Sequence, residues 1–221
     1  MWIIKLGGSL AANPELSDWC QMLAGPCLQS DLRSVVVVPG GGPFADVVRI
    51  AQKTHGFDDE TAHSMAIAGM EQYGRMLHGL APALKPAFDL DDFTLAAQEG
   101  RTALWMPQTM TQAMAGESAD IPRDWETTSD SLAAWLAGRL KASRLVLIKS
   151  AELPVPETDG EGANGLALSR LQETGLIDRA FGNFACNRGF DVFCIGPSGR
   201  SRLMAALSGD GDPGVLVDTT G

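Results

Sequence analysis

Short apolar runs recur along the chain, separated by longer stretches in which apolar residues return every three or four positions. The runs are Trp2–Leu6, Ser34–Pro39, Thr102–Met106, Arg144–Lys149, Asp191–Ile195 and Gly214–Asp218. They show little polar alternation, the pattern of strands covered on both faces. Between them the spacing predicts helices over Glu15–Leu28, Pro43–Thr54, Asp59–Leu80, Ser129–Leu140, Gly175–Cys186 and Ser201–Leu207. Strands alternating with helices of this length imply right-handed crossovers and a largely parallel sheet. The expected class is α/β, a three-layer αβα sandwich. No internal repeat is visible. Ala115–Arg123 and the Gly- and Pro-rich stretch Leu153–Gly165 read as surface loops able to cover a site.

Composition narrows the class. A chain of 221 residues with 45% hydrophobic content can bury one sizeable core, and a single domain over residues 1–221 is expected. No window approaches the roughly 20 apolar residues that span a bilayer. The opening "MWIIKLGG" lacks a basic segment followed by a cleavage site. A cytoplasmic protein with no membrane partner is expected. A net charge of -10 argues against a general nucleic-acid binder, because affinity for phosphate backbones comes from clustered Lys and Arg. An anionic ligand must instead be held by a few focused groups. Cys20, Cys27, Cys186 and Cys194 form no CxxC pair, so neither a zinc site nor a disulfide framework is suggested.

Candidate chemistry lies at the strand ends. The first strand runs into "IKLGGSL" (Ile4–Leu10). A strand followed by Gly7, Gly8 and Ser9 leaves backbone N–H groups pointing out of its carboxyl end, where they can bind phosphate oxygens. Lys5 lies inside that strand, a costly place for an ammonium group without a compensating anion. The same turn also fits a tight bend with a lysine reaching an edge. The second strand runs into "VVPGGGPF" (Val37–Phe44), where Gly40, Gly41 and Gly42 let a ligand approach the backbone. Ligands of open α/β sheets sit in such carboxyl-end crevices. Neither turn matches GxxxxGK[ST] or GxGxxG, which disfavours a P-loop and a standard dinucleotide site. Further on, Thr128, Ser129 and Asp130 precede a helical apolar pattern and read as its N-cap. Asp130 is also a carboxylate able to orient a lysine such as Lys5. The strand "RLVLIK" brings Lys149 and Ser150 to another carboxyl end.

In that order, "IKLGGSL", "VVPGGGPF", "TTSDSLAAWLA" and "LVLIKSAEL" resemble the amino acid kinase family, with "GLIDRAF" and "PGVLVD" similar to its later segments. The resemblance spans nearly the whole chain. It implies an ATP-dependent small-molecule kinase whose N-terminal part mainly binds the acceptor and whose C-terminal part mainly binds the nucleotide. Carried over by position, Lys5, Gly7, Gly8 and Ser9 hold the transferring phosphoryl group, and Asp130 organises the lysines. Lys149 and Ser150 match the nucleotide-side strand end. Gly40, Gly41 and Gly42 match the acceptor turn, with Thr128 and Ser129 beside it. Arg179 stands where several members carry a second catalytic lysine, and arginine keeps the charge without the compact ammonium. Mg²⁺ is expected with the nucleotide.

The acceptor is read from the helix Asp59–Leu80. His63, Ile67, Met70, Tyr73 and Leu77 form one stripe, which fits a core face or a pocket in which His63 donates to a phosphate and Tyr73 stacks on a ring. "AHSMAIAGMEQYG" and "IPRDWETTSDSLAAWLA" are most similar to the small kinases of methanofuran biosynthesis, near the uridylate kinase branch. That resemblance implies an aminomethyl-furanyl-methyl phosphate acceptor, with Arg49 and His63 as partners of its phosphate. Asp59 is either a partner for a substrate ammonium or a solvated surface residue. Uridylate, isopentenyl phosphate and acylated amino acids remain alternative acceptors, and non-catalytic nucleotide binding or metal-oxoanion storage is the alternative of another class. A homodimer is expected, as family members commonly form dimers or hexamers.

Overall fold

The computed structural model describes residues 1–25, 34–113, 121–155 and 165–220. Its strands are β1 (Trp2–Leu6), β2 (Val35–Pro39), β3 (Lys85–Ala87), β4 (Ala103–Trp105), β5 (Arg144–Ile148), β6 (Gly165–Ala167), β7 (Asp191–Ile195) and β8 (Val215–Asp218). They form one eight-stranded sheet in the order β3-β4-β2-β1-β5-β7-β8-β6. All pairs are parallel except β7 with β8. The helices are α1 (Leu16–Ala24), α2 (Gly42–His55), α3 (Asp59–Leu80), α4 (Leu90–Gln98), α5 (Pro107–Ala113), α6 (Ser129–Arg139), α7 (Leu168–Glu173), α8 (Phe181–Ala185) and α9 (Arg200–Leu207).

The unbroken apolar runs become buried strands because both sheet faces are covered. Ile3, Val36, Leu145 and Leu147 face one core with Leu132 and Leu136 of α6 and Phe181 and Phe184 of α8. Trp2, Ile4, Val37 and Val146 face the other, with Trp19 of α1, Leu77 of α3 and Leu203 of α9. The three-layer expectation therefore holds. Each fully buried large side chain contributes about 1.5–3 kcal/mol, and alternation along β1 divides that burial between the layers. Lys5 falls on the same face as Ile3, so the fold turns its ammonium toward α6.

β1 pairs in register with both neighbours, Lys5 opposite Val38 of β2 and Leu147 of β5. The chain moves outward from β1 through β2, then returns to place β5 on the other side. That reversal opens a crevice at the carboxyl ends of β1, β2 and β5.

Several elements differ from expectation. β3 and β6 are only three residues long, too short to display a period. The helix expected over Gly175–Cys186 is realised only as α8, with α7 ahead of it. Gly175, at φ +69°, follows α7, and residues up to Ala180 form turns rather than helix. α4 and α5 were also not expected. Cys27, most of Ala115–Arg123 and most of Leu153–Gly165 lie outside the described residues; Cys20 and Cys194 are buried thiols.

The two glycine turns touch backbone to backbone. A Cβ on Gly40 would lie 2.2 Å from the Gly8 nitrogen, and one on Gly8 would lie 2.2 Å from the Gly42 nitrogen. Gly40→Ala is accordingly expected to destabilise the protein by about 1–3 kcal/mol through overpacking. Gly138→Ala, in an open position on α6, should stabilise it by up to about 1 kcal/mol. Urea midpoints of the two variants check both signs.

Candidate active site

A cavity of about 500 Å³ occupies the crevice at the carboxyl ends of β1, β2 and β5. Lys5, Gly7, Gly8, Ser9, Lys149 and Ser150 line one side, and Gly41, Gly42, Arg49, His63, Ile67, Met70 and Trp125 the other. Thr127, Thr128, Ser129 and Asp130 lie where the sides meet. The strand register brings the first side together. Gly7 N–H donates to Ile148 O at 3.1 Å, and the Ser9 and Ser150 hydroxyls are 2.6 Å apart.

At the floor, Asp130 shares its carboxylate between two lysines. Lys5 Nζ is 2.9 Å from Oδ1 and Lys149 Nζ is 2.7 Å from Oδ2. All three residues are buried. Burial alone pushes the Asp130 carboxyl up, but the neighbouring Lys149 and Lys5 charges outweigh it and hold the pKa at about 2. Burial lowers the pKa of Lys5, and the Asp130 charge only partly opposes that. Two ammonium groups against one carboxylate leave a net positive charge at the cavity floor, which suits an entering anion.

Asp130 occupies the first turn of α6, where N-terminal N–H groups have no partner within the helix. Thr128 is the N-cap, its hydroxyl oxygen 3.4 Å from the Asp130 nitrogen. The main anchor of this turn is remote. Asp178 Oδ2 accepts from the Thr128 N–H at 3.1 Å, the Thr128 hydroxyl at 2.6 Å and the Ser131 N–H at 3.1 Å. Asp178 Oδ1 accepts from the Ser131 hydroxyl.

The opposite side is built on α2, α3 and the segment leading into α6. Gly42 adopts φ +55° as α2 begins. Two turns into α2, Arg49 donates to Asp46 at 2.8 Å and lies 4.5 Å from the Trp125 ring centroid. Trp125 Nε1 donates to Gln52 Oε1 at 2.6 Å, which fixes the indole. His63 Nδ1 lies 3.2 Å from the Asp124 carbonyl oxygen and donates to it. Burial lowers the His63 pKa, partly opposed by that bond, so the ring is neutral at neutral pH with Nε2 unprotonated. The Thr127 hydroxyl is buried and has no protein partner among the described residues.

The sequence-predicted residues divide by position. Lys5, Gly7, Gly8, Ser9, Gly41, Gly42, Arg49, His63, Thr128, Ser129, Asp130, Lys149 and Ser150 all line the cavity. Gly40 stands behind that lining, pressed against Gly8. Arg179 also lies outside it, 80% exposed and 3.9 Å from Glu126. The α3 stripe splits: His63, Ile67 and Met70 reach the cavity, whereas Tyr73 and Leu77 are fully buried in the opposite core. Tyr73 is therefore a packing residue beneath Gly42 rather than a stacking surface. Asp59 accepts from Gln52 at 2.8 Å outside the lining. Trp125, Thr127 and Asp178 carry no motif of their own; an isolated Trp in "RDWETT" and a lone Asp in "GLIDRAF" are the only local signs of them.

The Asp130 cluster sets a pH dependence of stability. Its folded pKa of about 2 lies below the reference value of 3.8, so it stabilises the fold above about pH 4 and loses that contribution as pH falls toward 2. The loss expected is about 2 kcal/mol. Asp130→Asn should flatten the curve over this range, measured as urea midpoint against pH.

Residues 1–152 match the amino acid kinase family. Over 151 residues the chain is 30% identical to a [5-(aminomethyl)furan-3-yl]methyl phosphate kinase of Methanocaldococcus jannaschii, covering 67% of this chain and 64% of that relative's length. The structure of uridylate kinase from Archaeoglobus fulgidus superposes with TM-score 0.68 at 18% identity, covering 98% of this chain and 99% of that one. UMP kinase from Bacillus anthracis gives 0.67 at 15% identity, with 100% and 96% covered. These two likenesses show the fold. The chain, matched over most of its length and carrying the motifs in order, belongs to the amino acid kinase family.

Proposed function

We propose that this protein transfers the γ-phosphoryl group of ATP to a small phosphomonoester. The observation that carries the reading is the carboxylate of Asp130 held between Lys5 and Lys149 at the floor of a cavity where two glycine turns converge. In phosphoryl transfer the protein mainly positions in-line oxygens and neutralises developing charge. An acceptor phosphate oxygen attacks Pγ, the bond from Pγ to the β,γ-bridging oxygen breaks, and ADP leaves with that electron pair. No strong protein base is needed, because the attacking oxygen is already anionic.

Within this reading Lys5 meets the transferring group, with the Gly8 N–H and the Ser9 hydroxyl around it and Gly7, its own N–H given to Ile148 O, keeping side chains out of the way. Lys149 and Ser150 face the nucleotide phosphates. Mg²⁺ carried by the nucleotide would neutralise phosphate charge, and Asp130 keeps its two oxygens on the lysines. Arg179, exposed and turned to Glu126, is left out of this set. Gly41, Gly42, Arg49, His63, Thr128 and Ser129 form the acceptor side, joined by the Thr127 hydroxyl, which has no partner among the described residues. The preferred acceptor is an aminomethyl-furanyl-methyl phosphate, as in methanofuran-type biosynthesis. The name of the M. jannaschii relative supports it, as does the flat Trp125 ring in the cavity lining. The chain is read as a single functional domain acting in the cytoplasm as a homodimer. Val47 and Ile50, exposed one turn apart on α2, offer an apolar face to a second copy.

ADP release from Mg-ATP, followed with a panel of phosphomonoesters, tests the reading. Turnover with the furan phosphate is expected, and turnover with uridylate alone would replace that acceptor. Tight nucleotide binding without transfer to any acceptor would favour storage instead. Lys5→Ala should lower kcat by about 10²–10³, the scale of one lost charge-stabilising group; a near-normal rate removes Lys5 from its role. Acceptor binding should strengthen as pH falls through the depressed His63 pKa, because protonation gives Nε2 a donor for the acceptor phosphate. Calorimetric titration between pH 5 and 8 reads this trend.

A further inference from the structure

Asp178 is a half-buried carboxylate that the proposed transfer does not use. It lies outside the cavity lining, 47 residues from Ser131 in sequence, yet it receives both the backbone N–H and the hydroxyl of Thr128 and of Ser131. Those two residues flank Asp130 at the start of α6. In an ordinary capping box the N-cap hydroxyl takes the N–H three residues on, and a side chain at that later position returns to the N-cap N–H. Here the later position is Ser131, whose side chain is too short to return. One remote carboxylate satisfies both N–H groups instead, and Thr128 uses its hydroxyl as a donor.

The turn bearing Asp178 is itself held. Gln172 Nε2 donates to the Asp178 and Arg179 carbonyls at 3.0 Å each, and Ala180 N–H donates to Glu126 O at 3.3 Å. The same turn supplies Gly175 and Leu176 to the cavity wall. We infer that Asp178 is a positioning residue: it clamps the first turn of α6 so that Asp130 presents one oxygen to Lys5 and the other to Lys149. Without the clamp the helix start can rotate and its carboxylate can favour one lysine over the other. Displacements of about 1 Å in such constellations are enough to slow the chemistry by about 10²-fold.

The role rests on the phosphotransferase reading for its kinetic consequence, but not for its structural one, so the experiment has two arms. Asp178→Asn keeps the shape and turns an NH₂ toward donors that need an acceptor. In amide hydrogen exchange, the Thr128 and Ser131 N–H groups should exchange faster in this variant than in the wild type. Unchanged exchange overturns the clamp whether or not the protein is a kinase. Faster exchange in a protein that transfers no phosphoryl group keeps the clamp and removes the kinase reading. In the kinetic arm, kcat should fall at least about tenfold while KM for ATP and for the acceptor stay within about threefold. Ser131→Ala, which deletes one of the four donors, should give a smaller loss in the same direction. Leu203→Ala, in the core on the far side of the sheet, controls for lowered stability and should leave kcat within about twofold. A kcat for Asp178→Asn within about twofold of wild type, or a loss matched by Leu203→Ala, overturns the positioning role.

Discussion

Two lysines and one carboxylate, buried together at the end of a parallel sheet, are the constraint around which the other parts of the site arrange. Taking three charges out of water costs several kcal/mol per ion, and their attraction offsets this only with close, well-oriented contacts. The contacts are 2.7 and 2.9 Å, one to each Asp130 oxygen. That geometry requires β1 and β5 to be adjacent and in register, and it requires α6 to begin directly over their ends. The sheet order and the remote capping of α6 supply these conditions. The excess positive charge makes the floor a place for anions in a protein whose net charge is -10.

The glycine turns solve a different problem. Anion binding by backbone N–H groups requires main chain at the surface of the cavity, with no side chain in the way. Because the turns after β1 and β2 also press on each other at Gly8 and Gly40, both sides of the cavity share one rigid seam. Across it stand two surfaces of different character: hydroxyls and ammonium groups on the β1 and β5 side, and Ile67, Met70, Trp125, Arg49 and His63 on the other. A charged wall therefore faces a mixed polar and aromatic one across the same cavity.

The fold was largely legible along the chain because parallel strands covered on both faces cannot alternate, and the runs at β1, β2, β5 and β7 show this, with Lys5 the one charged residue between their terminal positions. β3 and β6 escaped because three residues hold no period, and Pro86 in β3 reads as a strand breaker. The expected helix over Gly175–Cys186 failed for a specific reason. Its apolar spacing is real, with Ile177, Phe181 and Phe184 all buried, but Asp178 is drawn to the α6 N-terminus and the chain turns to deliver it. Similarly, the α3 stripe is one face in sequence and two environments in space, because the glycine turns end partway along the helix and cover Tyr73.

Local chemistry determined a good deal by sequence alone: apolar strands ending in glycine turns, a lysine placed inside the first of them, and a capped helix carrying a carboxylate. Each of these follows from neighbours within a few residues, where periodicity and turn preference act. Which groups meet is decided by strand order and register over separations of tens to more than a hundred residues. Only tertiary structure therefore pairs Lys5 with Asp130, joins Ser9 to Ser150, folds Trp125 onto Arg49 and sends Asp178 to the start of α6. Contact energies of this kind depend on distance in space, to which distance along the chain is no guide.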